Sequence, residues 1–279
     1  MSAARPRISR RAAPLAYGFL TVVTLLALTP TAWVMVSSLK TGTQVFTGAG
    51  VLPDPVTLQG YVDAFTQIEL HHYVLNTLLY ATLGSAGAIA AAFLAAYPLA
   101  RYAFRGRSTL VAGFSLALAI PVVGLATPEF FIMRELGLFD SRAGMVIFYA
   151  ALQFPFTFVV LRSYLLSTPR ELEEAAAMDG AGYFTTMVRV VLPLTRPALA
   201  TVAVVSFVQI WNEFFFANLF LVSQEHQNVQ LALAGFRSQF GFNVTGAIAG
   251  ATIVMLVPII VFVALQRQVI AGLTAGAVK

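Results

Sequence analysis

Residues 168–193 read TPRELEEAAAMDGAGYFTTMVRVVLP, a polar interruption between two long apolar runs. Thr168, Pro169 and Glu171 have the Thr-x-x-Glu spacing of a capping box with proline at the first helical position, so a helix is expected to open at Thr168. Glu171, Glu173 and Glu174 crowd its first turns, where the helix dipole favours negative charge. Residues 175–178 extend it with strong helix formers, and Gly180 is expected to end it. A second short helix, about 182–191, then runs to Leu192 and Pro193. Tyr183, Phe184, Met187 and Val188 supply apolar knobs beside the small surface of Ala175 and Ala176. An amphipathic pair lying among lipid headgroups is the alternative, but such helices carry basic polar faces and this one is acidic. A protein partner is the better expectation.

The chain on either side is built for lipid. Of 279 residues, 58% are hydrophobic and only 10% charged, where a soluble domain has about a quarter charged. Six stretches, about 14–37, 73–97, 108–131, 143–163, 198–221 and 244–265, are long enough to cross a bilayer core, which requires roughly 20 apolar residues. They predict an all-α polytopic membrane protein with six transmembrane helices and one domain over 1–279. Pro30, Pro121, Pro128, Pro155 and Pro258 fall inside these runs, which a membrane bundle tolerates because neighbours satisfy the freed backbone groups.

Charge orients the bundle. Six spans put both termini on one side, and the positive-inside rule makes that side the cytoplasm. Arg5, Arg7, Arg10 and Arg11 precede the first span; Arg101, Arg105 and Arg107 follow the second. Arg162, Arg170, Arg189 and Arg196 surround the long inner loop 164–197, and Arg267 and Lys279 follow the last span. Only Lys40, Arg134, Arg142 and Arg237 are assigned outside. The formal charge of +5 therefore describes orientation, and no nucleic-acid partner is read from it. The first span is long enough to cross and has no convincing small-x-small cleavage site, so it reads as an uncleaved anchor. Absence of cysteine excludes disulfides and thiol chemistry. The outer segments are 38–72, with the turn Pro53-Asp54-Pro55, and 222–243, rich in Gln and Asn with Phe236, Phe240 and Phe242.

Polar side chains inside spans are costly and tend to face a cavity. Asn76 and Tyr80 fall in span two, Gln153 in span four, and Gln209, Trp211, Asn212 and Glu213 in span five. Rings to stack on an apolar sugar face and amides for its hydroxyls make these the candidate substrate path. The structural reading stands beside it: Asn212 and Glu213 as helix caps or bridges, Trp211 in an interfacial belt, and Gly246-x-x-x-Gly250 as helix packing.

The pattern Glu174-Ala175-Ala176, Gly180, Val190, Leu192-Pro193 resembles the EAA loop of ABC importer permease subunits, with Val190 where that pattern usually has Ile. The six spans, Trp211-Asn212-Glu213-Phe214, and the ending Gly272-Leu273-Thr274-Ala275-Gly276-Ala277-Val278-Lys279 resemble the shorter of the two paired permeases of maltose-type carbohydrate importers. The resemblance runs from about residue 14 to the end and implies a type I ABC importer permease fold. It implies that Glu174, Ala175, Ala176, Asp179, Gly180, Tyr183, Phe184, Leu192 and Pro193 couple to a cytoplasmic ABC ATPase dimer. Residues 272–279 would reach toward the ATPase interface, and 222–243 toward the sugar cleft of an extracytoplasmic binding protein. A second permease subunit completes the complex in a bacterial plasma membrane. ATP and magnesium belong to the ATPase, and this chain holds no cofactor.

Glycerol 3-phosphate and polyol importers share this architecture and are the alternative. A secondary carrier is a weaker one, because no span centre holds an ionisable group. An enzyme lacks support: HExxH, GxSxG and metal-spaced histidines are missing, and the only lysines, Lys40 and Lys279, are not in a P-loop.

Overall fold

The computed structural model describes residues 13–48, 50–67, 69–239 and 243–277. Arg5, Arg7, Arg10, Arg11, Phe240, Phe242, Val278 and Lys279 lie outside the described residues, as do the side chains of Phe236, Arg237 and 267–277. Every regular element among the described residues is helical. Pro14–Ser37, Leu70–Arg101, Arg142–Ser167 and Val244–Gln266 are each long and apolar enough to cross a membrane. Two bent helix pairs raise the number to six if each pair is one span.

One bend falls inside the apolar run expected over 108–131 and the other just before that over 198–221. In the first, Arg107–Ala119 and Val122–Glu135 meet at 96°. Pro121 has no N–H to continue the ladder, and its ring drives the preceding residue out of the helical region. Ile120 is accordingly extended, at φ −79° and ψ 124°. In the second, Tyr183–Leu194 and Arg196–Trp211 meet at 71°, next to Pro193 and Pro197. The latter segment ends at Trp211 rather than 221, and a separate helix, Phe215–Phe220, follows.

Tertiary contacts fall into two compact units, 1–68 with 236–253, and 69–235 with 254–279. The first holds α1 (Ala13–Ser37), α2 (Gly42–Thr47), α3 (Gln59–Thr66) and the start of a long helix, Val244–Ala277. Among the described side chains of α1 only Ser37 is buried. α2 opens on a capping box: Thr41 Oγ1 accepts from the Gln44 N–H and Gln44 Oε1 from the Thr41 N–H. α3 packs on the long helix at Gly60, where a Cβ would lie 2.6 Å from the Thr245 carbonyl oxygen. Gly246 and Gly250 are buried in the same region, as expected of a packing motif.

The second unit is organised by α4 (Leu70–Arg101), with α5 (Arg107–Leu116) and α6 (Ala126–Glu135) from the first bent pair, and α7 (Arg142–Ser167). Gly84, Ala88, Ala92, Ala96 and Ala100 recur every fourth residue along α4, and all five are buried. Small residues at that spacing let helix backbones approach closely. A Cβ at Gly84 would lie 3.0 Å from Tyr149 Cβ and 3.1 Å from Ile210 Cδ1. Below this contact Phe93, Tyr97, Phe158, Leu161, Leu165 and Val202 form the core, joined by Met187 and Val191.

Candidate coupling loop and polar path

The segment after α7 builds α8 (Glu171–Met178), α9 (Tyr183–Thr186), a π turn over Met187–Val191, α10 (Leu192–Leu194) and α11 (Arg196–Trp211). Two helices and a turn were expected; the start is different. Thr168 does not cap α8. Its hydroxyl donates to the Tyr164 carbonyl at 3.0 Å and its N–H to Leu165, so it closes α7 instead. Arg170 is the N-cap, without a side-chain bond. Thr168 meets the freed carbonyls at the end of α7 before it can reach forward.

The end of α8 is as expected. Gly180 sits at φ +82°, the left-handed region that costs glycine little. The Ala181 N–H bonds to the Ala176 carbonyl and the Gly180 N–H to that of Ala177, which is the Schellman arrangement. Glu174, Ala175, Asp179 and Gly180 are exposed, and Ala176 is partly covered. Met178 is 88% exposed and Phe184 71%, with Tyr183 and Val188 beside them. Leu192 and Pro193 are half-buried, while Met187 and Val191 turn into the core. The loop thus has an anchored side and an apolar, acid-edged side left open.

The anchor is Glu173, which sequence reading did not separate from its neighbours. Its Oε1 lies 2.6 Å from Arg101 Nε, both side chains largely buried, and Tyr97 donates its hydroxyl to Oε2 at 3.1 Å. Arg101 also donates to the Thr168 carbonyl at 3.2 Å. The rings of Tyr97, Tyr102 and Tyr183 form a triangle with centroids 5.4–6.2 Å apart. Only the fold distinguishes Glu173 from Glu174, because helix geometry turns one toward α4 and the other away.

The residues expected to line a path are mostly engaged with protein. Trp211 is fully buried and donates from Nε1 to the Val254 carbonyl at 3.1 Å. Glu213 lies at the break after α11. Its two oxygens accept the N–H groups of Phe216 and Ala217, opening α12 (Phe215–Phe220), and Oε2 also accepts from the Tyr149 hydroxyl at 2.7 Å. Asn212 donates to the Val208 carbonyl but stays exposed, as does Gln209; Gln153 is buried.

Asn76 and Tyr80 hold the opposite end of α4 to a turn over 224–227. Asn76 donates to the carbonyls of Glu225 and Gln227 at 2.9 and 3.0 Å, and Tyr80 to that of His226 at 2.6 Å. Arg142 donates to Asn76 Oδ1 at 3.1 Å and to the Glu225 backbone carbonyl at 2.8 Å. Nearby, burial opposes ionisation of Asp140, but hydrogen bonds from Ser223, Val222 and His226 outweigh it and hold the carboxyl below its ordinary value. The outer loop expected over 222–243 is largely helix: α13 (Val229–Gln239) starts where Asn228 Oδ1 accepts the Leu231 N–H at 3.0 Å. The long helix that starts in the first unit and continues in the second, Val244–Ala277, is α14.

A family profile described as "Binding-protein-dependent transport system inner membrane component" matches residues 86–274, which contain the loop and both of its anchors on α4. The chain belongs to that family. It is a transport permease subunit and not an enzyme. The trehalose transport system permease protein SugB of Mycobacterium tuberculosis is 34% identical over 261 residues, 93% of this chain and 95% of its own. The diacetylchitobiose uptake system permease protein NgcG of Streptomyces coelicolor is 29% identical, over 96% of this chain and 89% of its own. Among solved structures, a chain of a bacterial ABC transporter involved in import of the acidic polysaccharide alginate superposes with a TM-score of 0.82 at 26% identity, covering 95% of this chain and 99% of that one. The permease therefore has the type I ABC importer fold expected of it.

Proposed function

We propose that the chain is one of two permease subunits of an ATP-driven saccharide importer in a bacterial plasma membrane, multi-pass and with both termini cytoplasmic. The observation that carries this reading is the loop 168–195. It is anchored to α4 on one side and leaves Glu174, Ala175, Met178 and Phe184 open on the other. Such a surface fits a cytoplasmic ABC ATPase dimer, which binds ATP and magnesium. Asp179, Gly180, Tyr183, Leu192 and Pro193 set its shape. The substrate class is supported by relatives named for trehalose and diacetylchitobiose. An extracytoplasmic binding protein delivers the sugar to a path shared with the second permease, all 279 residues acting as one transport domain. Gln209 and Asn212, exposed on α11 and at its end, reach into that path. Gln153, Trp211, Glu213, Asn76 and Tyr80 shape its wall.

The test is gentle purification of the tagged chain from its native membrane, then reconstitution in proteoliposomes. A second permease and an ATPase are expected to copurify, and import is expected for trehalose, maltose or diacetylchitobiose when ATP is inside. Glu174→Lys is expected to abolish import while the chain stays in the membrane. Normal import by that variant sinks the coupling assignment; import without ATP sinks the whole reading.

A further inference from the structure

α4 is gripped by polar contacts at both ends, and the two grips hold different loops. At one end Arg101 and Tyr97 hold Glu173 of α8, and Arg101 also holds the Thr168 carbonyl. At the other, Asn76 and Tyr80 hold the carbonyls of Glu225, His226 and Gln227. Asn76 and Arg101 are roughly 37 Å apart at 1.5 Å per helical residue. Between them the small-residue stripe from Gly84 to Ala100 is buried. The one weak point along this length is Pro98, which cannot donate a backbone bond. Tyr97 and Arg101 bracket it, and both bind the same carboxylate. Arg107 and Arg162 further hold the Leu99 carbonyl, at 3.0 and 3.4 Å, so the last turn is fastened from several sides.

A buried ion pair is poor evidence of stability, because desolvation offsets much of the attraction. It is better evidence of fixed geometry: neither charge tolerates leaving the other. Glu173 therefore cannot move away from Arg101 without exposing an unpaired charge to a dry environment. Displacement of α8 carries the end of α4 with it.

We propose that α4 is a strut joining the coupling loop to the turn at 224–227, with Arg101 and Glu173 as its latch. They are positioning residues: neither faces the open side of the loop, and both transmit what happens there. The inference rests on the permease reading above and adds a route for the signal. A push on α8 reaches the opposite end through one helix and four side chains, Arg101, Tyr97, Asn76 and Tyr80.

The chain has no cysteine, so Val222→Cys, at a residue 65% exposed beside that turn, supplies a single labelling site on it. The native complex, its other subunits made cysteine-free, is labelled there and reconstituted. The fluorescence response to a non-hydrolysable ATP analogue is measured together with basal ATP hydrolysis. Arg101→Gln and Glu173→Gln are each expected to cut the label response about tenfold while basal hydrolysis persists. The reversed pair, Arg101→Glu with Glu173→Arg, is expected to recover it to within about twofold of the parent, as coupled neighbours do. Tyr97→Phe removes one hydroxyl and keeps the packing; it is expected to cut the response about threefold. A response undiminished in the single variants and in Tyr97→Phe overturns the strut. So does a reversed pair no better than the single variants in a complex that still assembles. An unmodified complex that neither hydrolyses ATP nor responds to the analogue overturns instead the permease reading beneath it.

Discussion

The loop 168–195 and the end of α11 are both polar stretches set against apolar helices, and they treat their polar groups in opposite ways. In the loop, Glu174, Asp179 and the backbone around Gly180 are turned outward and left open. At the end of α11, Trp211 and Glu213 are turned inward, onto the Val254 carbonyl and the first N–H groups of α12. A polar residue in a membrane protein does not announce a ligand. It announces a group that must be satisfied, and where the chain breaks, the nearest unsatisfied group is usually backbone. The break after Trp211 creates such donors, and Glu213 takes them.

That contrast can be broken by substitution, from the most damaging change to the least. Trp211→Ala is expected to lower stability by about 3–5 kcal/mol through the cavity it leaves, measured as thermal unfolding in detergent; an unchanged midpoint means the ring is not a core group. Glu213→Ala removes the acceptor of two N–H groups and of the Tyr149 hydroxyl. It is expected to cost about 2 kcal/mol and to speed amide exchange across 215–220. Gly180→Ala meets no atom within 4 Å, so only its backbone conformation opposes it, at about 1 kcal/mol. Faster exchange confined to α8 and α9 is the expected sign, and Gly180→Asn is expected to be milder, because Asn tolerates this region better. Gln209→Ala is expected to leave stability within about 0.5 kcal/mol while raising the sugar concentration needed for half-maximal import. Equal import kinetics in that variant would remove Gln209 from the path.

Much of the architecture was legible in the residues. Apolar runs located the helices, because a bilayer demands length and composition rather than a particular partner. The spacing from Glu174 to Pro193 pointed to the family before any geometry was known, and Gly180 ended α8 where a residue of positive φ was needed. Local chemistry misled where two neighbours competed for one side chain. Thr168 had the spacing to cap α8, yet the carbonyls at the end of α7 were nearer; the capping box that does form is at Thr41 and Gln44. Pro121 lay inside an apolar run long enough to cross, and the run bends by 96° at that point. Apolar composition reports the solvent around a segment and is blind to its direction.

Composition and short-range spacing determined that this chain is a helical membrane protein with a helix–turn–helix loop over 168–193, because those properties depend on solvent and on neighbours a few residues away. Packing decided the rest. Glu173 is fastened while Glu174 is open, and span five stops at Trp211. Asn76 and Tyr80 hold a turn whose residues lie about 150 positions further along the chain. Each of these depends on which backbone or charge lies alongside, and that is set by the approach of helices distant in sequence.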